Sequence, residues 1–150
     1  MKHCRLILLP IFLLACVAGC GTGTSSPHNV GLFGNWNIAM YPTNNPNAVY
    51  VFALAMSQLG STTYSGASIA YNGSVTQPGN MCIDPLALRA TATVGSNNNF
   101  TMTVTDTSSS TIISVTGSLS TVTGELSGNY TNGASQRCSA SQGTVTMIPQ

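Results

Sequence analysis

From Leu32 onward, apolar and polar side chains alternate with a period of two, and this pattern restricts the possible folds more than any other feature of the chain. In "FTMTVTD", Phe100, Met102 and Val104 point one way while Thr101, Thr103 and Thr105 point the other. In "LALRATATV", Leu86, Leu88, Ala90, Ala92 and Val94 share a face opposite Arg89, Thr91 and Thr93. "TIISVTGSL" groups Ile113, Val115 and Leu119; "VTGELSGNY" groups Val122, Leu126 and Tyr130, with Glu125 on the polar side. Neighbouring side chains on a strand project to opposite faces, so each segment reads as a half-buried strand. The β-branched Thr and Val suit such a pleated surface.

Eight strands are expected, over Trp36–Tyr41, Val49–Gln58, Thr63–Tyr71, Leu86–Val94, Phe100–Asp106, Thr111–Leu119, Val122–Tyr130 and Thr144–Ile148. Short turns such as "GST", "GSNNN" and "TSSS" join most of them, so successive strands are antiparallel neighbours. "AVYVFALAMSQL" is ambiguous, because its apolar run also suits a buried helix. As a strand it carries Tyr50, Phe52, Leu54 and Met56 on one face and the smaller Val49, Val51, Ala53 and Ala55 on the other; the flanking Asn/Pro-rich stretch and Gly60 favour the strand. "VTGSLS" and "VTGELS" repeat seven residues apart, which fits a hairpin with similar arms better than a solenoid. With no helix to cover a sheet, the apolar face must be buried against itself. The expected fold is all-β, an eight-stranded antiparallel up-and-down β-barrel; a two-sheet β-sandwich is the alternative.

Only 5% of residues are charged, while 43% are hydrophobic. That is apolar enough for a core and excludes disorder driven by charge repulsion. The formal net charge of +1 owes its sign to Lys2 and Arg5 in the first five residues. There is no basic patch, so nucleic acid is not an expected partner. There is no polybasic segment for electrostatic docking to a membrane either.

The N-terminal region has its own logic. A basic head, "MKHCR", precedes "LILLPIFLLACVA", an apolar run interrupted by Pro10 and too short for a spanning helix, which takes about 20 residues. A basic head, a short apolar run and small residues together mark a secretory signal peptide. Val17-Ala18-Gly19-Cys20 resembles the lipobox of bacterial lipoproteins: an aliphatic residue, two small residues and a cysteine whose thiol takes up a diacylglycerol. Leu13-Leu14-Ala15-Cys16 is a poorer match that would shorten the apolar run. The resemblance implies a signal peptide over 1–19, a lipidated tether over 20–31 and a barrel domain over 32–150. It implies Cys20 as the lipidation site, a membrane held through lipid as the partner, and the bacterial cell envelope as the location. Gly21 stands where an Asp would retain such a protein in the inner membrane, which favours the outer one, on its periplasmic or surface face. The Gly/Ser/Thr-rich "GTGTSSPHNVG" reads as a flexible tether.

With Cys4 and Cys16 removed and Cys20 acylated, Cys82 and Cys138 remain. Export permits oxidation, so a disulfide joining two long connections at one end of the barrel is expected, the alternative being two free buried thiols.

Chemistry has few candidates. Past Cys20 the only histidine is His28, on the tether, and the only acids are Asp84, Asp106 and Glu125. A Ser-His-Asp arrangement lacks its histidine, and zinc lacks enough ligands. Asp106 reads as a turn residue and Glu125 as solvent-facing mid-strand, so a glycosidase pair is not expected. No enzyme activity, no cofactor and no metal are expected. "GNW" resembles the Gly-x-Trp that opens lipocalins and avidin-like barrels, and "LSGNY" is similar to the L-x-G-x-Y of avidin-like hairpins. The whole mature chain resembles small β-rich lipoproteins of environmental bacteria. These likenesses imply either a filled, non-catalytic barrel, structural or protein-binding, or a tethered carrier of a small ligand. For a carrier, Tyr64, Tyr71, Arg89 and Tyr130 are the candidate contacts near an open end, with Trp36 a further candidate whose alternative reading is core packing at the barrel floor.

Overall fold

The computed structural model describes residues 31–45, 47–75 and 82–150. The expected signal peptide, Cys20 and almost all of the tether lie outside these residues. The strands are β1 (Gly34–Pro42), β2 (Tyr50–Gln58), β3 (Thr63–Ile69), β4 (Leu88–Val94), β5 (Asn99–Asp106), β6 (Thr111–Leu119), β7 (Leu126–Asn132) and β8 (Ser141–Pro149). Each pairs antiparallel with the next, and β1 pairs with β8, closing an up-and-down barrel. The sandwich alternative is excluded.

The alternation becomes an inside and an outside. Trp36, Ile38, Phe52, Leu54, Leu88, Phe100, Met102, Val104, Ile113, Val115, Leu126, Tyr130, Val145 and Met147 are buried in one continuous core. Outside, hydroxyls and amides line up across strands through the registers Ser65–Thr91–Thr103–Ser114–Thr131–Gln142 and Thr63–Thr93–Thr101–Thr116–Asn129–Thr144. A bilayer-spanning barrel has the reverse arrangement, an apolar band facing outward.

Small residues let the interior close around large ones. Gly117 and Gly128 face each other across β6 and β7. A Cβ at Gly117 would run into the Ser127 carbonyl oxygen and sit 2.9 Å from Cε1 of Phe100. Phe100 thus takes the space that a side chain at Gly117 would need, and a Cβ at Gly128 would meet the backbone of Thr116 and Gly117, as expected where large and small positions interlock at crystal-like density.

Four local expectations need correction. Leu86 lies before β4 in a turn and is exposed, so its apolar side chain does not join the face of Leu88. Val122 and Glu125 belong to the β6–β7 turn, where Gly124 has φ of 71°; the first half of the "VTGELS" repeat is therefore turn, and only its Leu126 and Ser127 pair with Leu119 and Ser118 of "VTGSLS" in the expected hairpin. Tyr71 lies beyond β3. Asp106 ends β5 on its inner face and is fully buried.

The ambiguous segment is strand β2, and its two apolar faces have a cause. Val51 and Ala53 on its outer side are buried, as is Ala39 on β1. After Ile69 the chain crosses the outer wall, where Asn72 exchanges two hydrogen bonds with Asn37 of β1, at 2.7 and 3.3 Å. A strand covered on both sides loses its alternation.

Candidate functional site

The barrel has two unlike ends. At the base the chain arrives at Gly31, β1 starts, and the turns 59–62, 95–98 and 120–125 lie. At the top are the connections 43–49, 70–87, 107–110 and 133–140, three of them longer than any at the base.

The top is closed by a polar clamp built around Asp106. One carboxylate oxygen accepts the Ser108 N–H at 2.8 Å and the Ser108 hydroxyl at 2.7 Å. The other accepts the Asp84 N–H and the Ser109 hydroxyl, each at 2.8 Å. A carboxylate offers about four lone-pair positions, and all are used. Burial pushes the acid upward, but these four donors outweigh it and hold Asp106 at about 2. The chain of contacts continues through Ser109, Thr111 and Ser135, with 2.7 and 2.6 Å between hydroxyl oxygens. Ser135 Oγ then accepts the Cys138 N–H at 3.1 Å. Cys138 is bonded to Cys82, with Cα atoms 4.9 Å apart, so the disulfide ties the 70–87 and 133–140 connections at one end of the barrel. Ile83, next to Cys82, is buried in the core and stops the top.

The base is closed differently. Leu32 is fully buried, and its carbonyl accepts the Trp36 indole N–H at 2.9 Å. Just outside this plug lies a cleft of about 440 Å³, lined by Phe33, Trp36, Leu119, Thr123, Pro149 and Gln150 among others. A narrower groove of about 170 Å³ runs on the outer wall between Tyr41, Thr146 and the Tyr71–Val75 segment.

The five candidate ligand contacts are not brought to one place. Trp36 and Tyr64 are buried near the base. Tyr130 is buried inside β7, its hydroxyl 3.4 Å from that of Ser141 towards the top; burial raises its phenol above the ordinary value. Arg89 is exposed on the outer face of β4. Tyr71 lies on the outer wall, raised chiefly by burial, which a hydrogen bond to the Val75 backbone partly offsets. Among the described residues, no three His, Cys, Asp or Glu side chains come together.

No family model matches this chain, and no curated protein does. Two solved structures are similar in shape. One is EF1p2_mFAP2b bound to DFHBI, with TM-score 0.55 and 12% identity over 79% of this chain and 94% of that one. The other is a redesigned β-barrel, b11L5F_LGL, with TM-score 0.54 and 13% identity over 79% of this chain and 91% of that one. At such identity the likeness establishes the barrel fold alone.

The sequence reading missed the clamp. Its signal was present as Asp106-Thr107-Ser108-Ser109, an acid followed by hydroxyls that can fold back onto it. Ser135 could not be found that way, because it reaches Thr111 only through the pairing of β6 with β7.

Proposed function

We propose that this is a lipid-anchored protein of the bacterial cell envelope, whose barrel is a non-catalytic body with a structural or protein-binding role. The reading rests on Val17-Ala18-Gly19-Cys20 at the end of a short apolar run, with Cys20 acylated and Gly21 directing the protein to the outer membrane. The filled interior supports a rigid body over a vessel, since Phe100, Met102, Ile113 and Leu126 occupy the space a ligand would take. The one buried acid, Asp106, has its oxygens committed to hydrogen bonds, which suits a loop anchor better than a proton-transfer group. Labelling cells with an alkyne fatty acid tests the anchor. The wild-type chain takes up label and Cys20→Ala does not; label retained by Cys20→Ala moves the assignment to Cys16.

A second reading, a tethered carrier of a small ligand, is favoured by the base cleft, where Trp36, Phe33 and Leu119 offer an apolar wall beside Thr123 and Gln150. EF1p2_mFAP2b, similar in fold, is itself bound to DFHBI. Native mass spectrometry of protein from its host separates the two: a retained mass favours the carrier, and the bare chain favours the filled body.

A further inference from the structure

We propose that the base of the barrel is a membrane-contact surface, its apolar tips seated in the interfacial layer of the bilayer that holds the lipid anchor. This rests on the acylation of Cys20 proposed above.

Three large apolar side chains project at this end. Phe33 is 72% exposed just before β1, Leu59 is 70% exposed in the β2–β3 turn, and Val122 is 85% exposed in the β6–β7 turn. Each turn holds its tip outward by local bonds. The Leu59 and Gly60 N–H groups both donate to the Thr63 carbonyl, at 2.9 and 3.3 Å. In the β6–β7 turn, the Val122 and Thr123 N–H groups donate to Ser120 Oγ at 3.3 and 3.2 Å. β2–β3 and β6–β7 lie on opposite sides of an eight-stranded closed barrel, with β1 and β8 between them on one side, so the tips are spread round the rim. Leu86 and Ile112 are also exposed, but both lie towards the top.

Charge is segregated in the complementary way. Asp84, Asp106 and Arg137 lie in the top connections or at their edge, and Arg89 is the second residue of β4 below them. Among the described residues, Glu125 is the one charged side chain at the base, and it is exposed beside the headgroup level, where water remains. Apolar tips with little charge match a surface that enters the headgroup–acyl boundary by about 5–10 Å through apolar burial, with no electrostatic attraction required.

The occupant follows from where the rest of the chain leaves. Gly31, the first described residue, lies at the base, and eleven residues, 21–31, separate Cys20 from Leu32. Even fully extended they reach at most about 40 Å. An acylated Cys20 therefore keeps this end within about 40 Å of its own membrane, and it is the apolar tips with little charge beside them that turn the base, not the clamp end, towards it.

The test uses full-length lipidated protein reconstituted in phosphatidylethanolamine–phosphatidylglycerol vesicles with brominated acyl chains. Intact mass comes first: a chain without the diacylglycerol increment on Cys20 overturns both the anchor and this proposal. With the increment present, Val122→Trp reports the base, and Gln136→Trp, on an exposed top position, is the control. The expected result is loss of Val122→Trp emission to bromine quenching, with no loss for Gln136→Trp beyond that of Trp36 in the parent. Equal quenching of the two variants leaves the anchor standing and overturns the membrane-contact base.

Discussion

Replacing both Cys82 and Cys138 by Ala tests how the top is held together. The bridge joins residues 56 apart in sequence. Loop-closure arithmetic for that length assigns about 4 kcal/mol, almost all of it as entropy removed from the unfolded chain. The folded state is expected to change little, because the Asp84 N–H bond to Asp106 and the Thr111–Ser135 contact hold the same two connections without sulfur. A domain of about 120 residues has an unfolding entropy near 250 cal/mol/K at its midpoint, so 4 kcal/mol is roughly a 15 °C fall in Tm. The assay is calorimetric melting of the exported, oxidised protein against Cys82→Ala/Cys138→Ala, with Trp36 emission recorded to confirm an unchanged base. A fall below about 4 °C, near 1 kcal/mol, refutes the reasoning and means that the unfolded chain already holds these segments together.

Three further outcomes are expected. Gly117→Ala forces a methyl against the Ser127 carbonyl and Phe100 and should cost about 1–3 kcal/mol in urea unfolding, whereas Gly133→Ala, with nothing within 4 Å, should stay within about 0.5 kcal/mol of the parent. Asp106 has a folded pKa of about 2 against an ordinary 3.8, so its contribution is complete above pH 4 and is lost as pH falls towards 2; denaturant titrations at pH 6, 4, 3 and 2 should show this loss in the parent and a smaller one in Asp106→Asn. Leu32→Ala removes the base plug and should cost about 2–5 kcal/mol, with a red shift of Trp36 emission as water reaches the indole.

Much of the barrel was legible because most of its strands have one wet and one dry face. β4 and β5 alternate without a fault between Leu88 and Val104, and that alternation is a direct record of the closed wall. Legibility failed where a second layer intervened. β2 is apolar on both sides because the 70–75 segment crosses its outer face, and a sequence pattern cannot say which distant segment will do so. Asp106 was misjudged for a related reason. An acid before Thr-Ser-Ser looks like an exposed turn, yet its backbone is the last inward position of β5, and beside the local Ser108 and Ser109 its remaining donor, the Asp84 N–H, comes from a second connection. Residue type marks Trp36, Tyr64, Tyr71, Arg89 and Tyr130 as able to touch a ligand, but it does not say which side of the wall or which end each occupies.

The outer rows of Thr, Ser and Asn have a colloidal consequence. Charges on a protein surface act over a Debye length, about 8 Å in physiological salt and about 30 Å in dilute water, so a charged exterior changes its behaviour with salinity. An exterior made of hydroxyls and amides has no such length to change. It stays hydrated by hydrogen bonding, and closure of β1 onto β8 removes the free strand edge through which weakly charged sheets associate. Hydration of such a surface is therefore expected to vary little with added salt, because it does not rest on charges that ions can screen.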